Sequence, residues 1–134
     1  MATTGTEQLP LRDEHDIVLA RQAVRRLSQG LGFGIVDQTK IVTATSELAR
    51  NAVVYGLGGT LHCETLFENG RNGLRLRFVD QGPGIEDLEK ALTDGYSTGG
   101  GLGLGLSGAR RLSNEFTIDS APGKGTRIMI ARWR

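Results

Sequence analysis

The chain has 134 residues, 38% of them hydrophobic, with 16 Lys and Arg against 15 Asp and Glu and a formal net charge of +1. That length suits one domain, here residues 1–134, with a real core, and the charge balance leaves no nucleic-acid footprint, so Arg25-Arg26 and Arg110-Arg111 read as solvated helix faces. The start MATTGTEQLPLRDEHD lacks the apolar centre of a signal peptide, and no apolar run reaches the roughly 18 residues of a membrane helix. The single Cys63 excludes a disulfide framework, so the expectation is a cytoplasmic protein with neither nucleic acid nor membrane as partner. Metal-binding clusters of Cys and His are absent from the sequence.

In chain order, residues 1–14 read as an edge strand or a flexible start, with 7–13 the strand portion. From Asp16, DIVLARQAVRRLSQG puts Ile17, Ala20, Val24 and Leu27 on one helical face and stops at Gly30. A second helix begins near Asp37, taken as its N-cap, and runs to Gly56 with Ile41, Ala44, Leu48, Ala52 and Tyr55 as its core stripe. TLHCETLFENG and GLRLRFVDQGPG read as strands joined around Asn69-Gly70, with alternation clearest at Leu74, Leu76 and Phe78. IEDLEKAL is a short helix, LGLSGARRLSN another, and EFTIDSAPGKGTRIMIARW a closing hairpin turned at Pro122-Gly123. The sum is an α+β two-layer sandwich: a mixed, mostly antiparallel sheet with helices on one face and a partly wet opposite face.

Glycine is the compositional outlier, 20 of 134 residues where roughly 7% is usual. The densest knot is STGGGLGLGLSG, Ser97 to Gly108. Glycine gives up more backbone freedom on folding than any other residue, so such a knot costs stability unless the bare backbone serves a ligand. Gly103, Gly105 and Gly108 fit G-x-G-x-x-G, but no strand precedes them and no acidic residue follows at dinucleotide spacing. Protein-kinase H-R-D and D-F-G motifs are absent, and Lys124 lacks the loop of a Walker lysine.

Four stretches can carry chemistry. On the second helix Glu47 and Asn51 stand one turn apart at the edge of the buried stripe, which taken alone is an ordinary helix-surface pair. In VDQGPG, Asp80 ends an apolar strand between glycines; it suits a turn, and equally a carboxylate accepting from the exocyclic amine of a base. The glycine knot feeds a helix N-terminus, whose free N–H groups favour phosphate. PGKGT suits a hairpin turn, and also a placement of Thr126 near Asp80.

In that order, E-x-x-x-N on a helix, D-x-G-x-G after a strand, a glycine lid before a helix and G-x-G-T in a hairpin resemble the ATP-binding (Bergerat, or GHKL) fold of gyrase, Hsp90, histidine kinases and MutL. The resemblance runs from about Gly30 to the end. Neither His15 nor His62 sits in a phospho-acceptor motif, and 134 residues leave no room for a gyrase-type transducer domain. The segments resemble most the stand-alone bacterial anti-sigma factors and switch kinases, in particular the RsbT branch of serine/threonine kinases. SELARN departs from the wording of relatives that bind sigma factor directly, and Ser97 and Thr98 stand where those often carry a basic residue.

The resemblance implies ATP and Mg²⁺ as cofactors, STAS-domain scaffold proteins as substrates and a PP2C-type phosphatase as a further partner, with a sigma factor as the alternative. It implies a cofactor site of Asn51, Asp80, Gly82, Gly84, Gly99, Gly100, Gly101, Leu102, Gly103, Gly105 and Thr126, in which Asn51 also ligates the metal and residues 94–104 act as a lid. Glu47 would be the catalytic base for a substrate hydroxyl. Two other readings stay open: a nucleotide-gated binding module with little kinase activity, and simple ATP hydrolysis with Glu47 activating water.

Overall fold

Apolar residues at every second position of the strands and every third or fourth of the helices segregate onto facing surfaces and define two layers. In chain order these are β1 (Ala2–Leu11), α1 (Glu14–Gly30), α2 (Ile35–Val54), β2 (Gly59–Glu68), β3 (Arg71–Asp80), α3 (Leu88–Ala91), α4 (Leu106–Arg111), β4 (Glu115–Ser120) and β5 (Thr126–Trp133). The structure is a computed structural model that describes residues 2–92 and 106–134.

The five strands form one sheet in the order β1-β2-β3-β5-β4. Every pairing is antiparallel, where a mixed sheet was expected. The reason lies in the connections. Two successive helices carry the chain from β1 back to the same end, so β2 enters reversed, and β2–β3 and β4–β5 are hairpins. Asn69 (φ 52°) and Gly70 (φ 75°) both take positive φ between the paired Glu68 and Arg71, the backbone of a two-residue type I′ turn.

Leu61, Leu74, Leu76, Phe78, Ile128 and Ile130 point from the sheet into one core with Ile17, Ala20 and Val24 of α1 and Ile41, Ala44 and Leu48 of α2. The opposite sheet face is polar: Arg75 holds Glu64 through two 3.0 Å bonds, Arg77 joins the same carboxylate, and Arg127 pairs with Asp119 at 2.7 Å.

Several boundaries differ from expectation. The edge strand is longer, because β1 pairs with β2 along its length from Ala2, with a register shift between Thr3 and Gly5. Helix α1 starts at Glu14 rather than Asp16, since Asp13 is its cap and accepts from Asp16 N–H at 3.1 Å. Asp16 is instead buried (2% exposed), and its bonds from Arg12 hold its carboxyl below the usual range. Asp37 is not the cap of α2. Gly34 takes that place without a side-chain bond, and Asp37 lies in the first turn, paired with Arg132 at 2.7 Å. The described parts of the last two helices are shorter than 85–92 and 104–114.

Candidate functional site

Where α2 leaves the sheet, its last two turns and the ends of β3 and β5 enclose an open cleft of about 450 Å³, solvent side included. Leu48, Ala52, Phe78, Ile85, Leu106 and Ile128 make its walls apolar, and Asn51, Tyr55, Asp80 and Thr126 supply the polar groups. Apolar walls with few polar groups suit a ring that is fixed by hydrogen bonds at its edge.

Asp80, the last residue of β3, is 9% exposed. Its Oδ1 accepts from Gly82 N–H at 3.0 Å, and the Thr126 N–H also bonds its carboxylate. Burial pushes the Asp80 pKa up; the two N–H groups oppose this by favouring the ionised form. A buried acceptor is thereby held at the cleft with one oxygen already committed to the backbone.

The segments around it are tied together. Gly123 N–H donates to Pro83 O at 2.7 Å, and Ile85 N–H to Ser120 Oγ at 2.9 Å. Ser120 spends its hydroxyl proton on Gly125 O at 2.8 Å, so Thr126 Oγ1, 2.9 Å away, donates to Ser120 and keeps its lone pairs for another donor. The loop after β3 and the β4–β5 turn are thus one hydrogen-bonded unit.

The fold brings four sequence-derived residues, Asn51, Asp80, Gly84 and Thr126, to one cleft, with Gly82 behind Asp80. Glu47 lies half-buried one turn before Asn51 and is not among the lining residues. Gly99, Gly100, Gly101, Leu102, Gly103, Gly105 and the lid expected over 94–104 lie outside the described residues. Sequence reasoning missed Ser120 and treated Gly56 only as a helix stop. Ser120 gives no local signal, since Thr126 meets it through the β4–β5 pairing and Ile85 reaches it from the loop after β3.

No group of three or more His, Cys, Asp and Glu that could hold a metal occurs among the described residues. Mg²⁺ asks less of a protein: it keeps several waters and takes one or two oxygen ligands beside substrate phosphates. Asn51, which lines the cleft, carries an oxygen of that kind in its side-chain amide. No described helix is long and apolar enough to cross a membrane.

Comparison with known proteins agrees with this geometry. Over 120 residues, 90% of either chain, the sequence is 49% identical to serine/threonine-protein kinase RsbT of Bacillus subtilis (strain 168). It is 29% identical over 119 residues to the anti-sigma F factor of Thermoanaerobacter sp. (strain X514), covering 85% of this chain and 82% of that one. The fold superposes with a TM-score of 0.57 on a chain of the SiaB-SiaC complex from Pseudomonas aeruginosa, covering 98% of this chain and 91% of that chain; at 12% identity this speaks for the fold alone. Residues 36–134 match the family described as histidine kinase-, DNA gyrase B- and HSP90-like ATPase, a span that holds the whole cleft. The chain belongs to that ATPase family.

Proposed function

We propose that this protein is an ATP-dependent serine/threonine kinase of a bacterial partner-switching pathway, acting on a STAS-domain protein. The observation that carries the reading is the buried Asp80 carboxylate at an apolar cleft with Asn51 on its wall. An adenine slides between the apolar walls and donates its exocyclic amine to Asp80. Guanine would present an oxygen there and leave the carboxylate unpaired, a loss that discriminates strongly. The 49% identity to a named serine/threonine kinase, against 29% to an anti-sigma factor, favours kinase activity over a purely binding role.

Phosphoryl transfer asks mainly for positioning and charge neutralisation, so few side chains are needed. Glu47 takes the proton of the acceptor hydroxyl, and Asn51 holds Mg²⁺ through its side-chain oxygen. The metal supplies positive charge beside the phosphates when bound. The triphosphate falls to the glycine segment of residues 99–105. A PP2C-type phosphatase is the further partner in this reading, and the cytoplasm its compartment.

The test is γ-labelled ATP with a STAS-domain protein encoded beside this chain. Label on a Ser or Thr of the partner supports the kinase. Free phosphate alone supports ATP hydrolysis, and nucleotide-dependent binding with neither supports the anti-sigma-like module.

A further inference from the structure

Gly56 sits just past α2, and the Asp80 side chain fills the space where any other residue would place its Cβ. An ideal Cβ on Gly56 would lie 2.4 Å from Asp80 Cγ, 2.5 Å from Oδ2 and 2.6 Å from Asp80 Cβ. The backbone does not impose the glycine. Gly56 is not among the positive-φ residues, unlike Gly84 (φ 79°) and Gly125 (φ 71°), so an alanine could adopt its conformation. The nearest atoms that forbid a side chain are all of Asp80, its Cβ together with its carboxylate.

Two contacts fix Gly56, and a third links them to Asp80. Its N–H donates to the Asn51 main-chain carbonyl at 2.9 Å. Its far side touches Gly82, where a Cβ would come 2.6 Å from Gly56 Cα. Gly82 in turn donates its N–H to Asp80 Oδ1 at 3.0 Å. The carboxylate is therefore closed between two glycines, with Oδ1 on the Gly82 N–H and Oδ2 against the bare Gly56 backbone.

We infer that Gly56 is a positioning residue for base recognition: it sets where Asp80 presents its carboxylate and couples that place to the main chain of Asn51. The inference rests on the reading of Asp80 as the group that meets the base. Restoring ordinary contact of 3.4 Å from 2.4 Å requires a displacement of at least about 1 Å (3.4 − 2.4). Hydrogen bonds span only about 2.7–3.2 Å, so a shift of that size loses the bond to the base or the one to Gly82.

The experiment compares ATP with purine riboside triphosphate, which lacks the exocyclic amine, by calorimetry on the full chain. Wild type should favour ATP on the order of 10- to 100-fold, as a hydrogen bond to a charged group allows. Gly56→Ala should bring that ratio close to one, as should Asp80→Asn, and the double variant should lose no more than either. A Gly56→Ala protein that weakens both nucleotides alike and keeps the ratio overturns the inference; an Asp80→Asn protein that keeps it overturns the reading beneath. If Gly56→Ala does not fold, the exchange pair Gly56→Ala/Asp80→Gly removes the clash and should restore the melting transition. Failure of that rescue also overturns the inference.

Discussion

Asp80 and Thr126 face each other as a register pair of β3 and β5, and the Thr126 main-chain N–H bonds the Asp80 carboxylate. Burial nevertheless dominates and raises the Asp80 pKa above the ordinary value near 3.8. The ionised carboxylate accepts from an amine more strongly than the neutral acid, so we predict that ATP affinity falls on acidification at a pH above that of an ordinary aspartate. Stability should respond oppositely. A folded-state pKa above the unfolded one means that ionising Asp80 costs stability, and the cost disappears as pH falls through the folded value. Calorimetric ATP titrations across acidic pH, with Asp80→Asn beside wild type, check this. The slope should vanish in the variant, and an unchanged slope would assign it to another group.

In the proposed reading Asn51, on the cleft wall, meets the metal rather than the base. Asn51→Ala should weaken Mg·ATP more than ATP in the presence of a chelator. Equal losses in both conditions would make Asn51 a structural residue of α2, whose main-chain carbonyl already binds Tyr55 and Gly56.

Leu57 takes a positive φ of 62° and is 82% exposed, so it bears left-handed strain without burial in return. That conformation costs an ordinary residue roughly 1–2 kcal/mol, and asparagine tolerates it better. Leu57→Asn should therefore stabilise the fold by about 1 kcal/mol in urea unfolding. A loss of stability would show that Leu57 makes contacts beyond those of the described residues.

Cys63 is 1% exposed in the core face of β2, and burial pushes its thiol pKa up to about 12. The thiolate is the reactive form, so alkylation of the native protein should be slower than of the urea-unfolded chain by several orders of magnitude. Rapid native labelling would mean that β1 and β2 open locally.

Much of this was legible in the sequence. Alternation at Leu74, Leu76 and Phe78 marked β3, Gly30 ended α1, and Asn69-Gly70 marked the hairpin, because each signal acts within a few residues. The Thr-rich start of β1 has no such signal, since its order comes from pairing with β2 some 60 residues away. Asp37 has the chemistry of a cap, yet it is drawn to Arg132, 95 residues later. The site divides the same way. Asp80 and Asn51 stood out by residue type and spacing, whereas Gly56 and Ser120 work only through neighbours that folding brings to them.

The most direct test of the account is phosphotransfer by a Glu47→Ala protein to a STAS-domain partner, read by mass spectrometry beside its ATP affinity. A general base acts in the transition state and little in ground-state binding. The account predicts intact ATP affinity and a loss of partner phosphorylation of about 10²-fold, the lower end of the range for a positioned base because the transition state of phosphoryl transfer is loose. Full phosphorylation of the partner by Glu47→Ala would contradict it, as would a wild-type protein that binds ATP and partner yet leaves every serine and threonine unmodified.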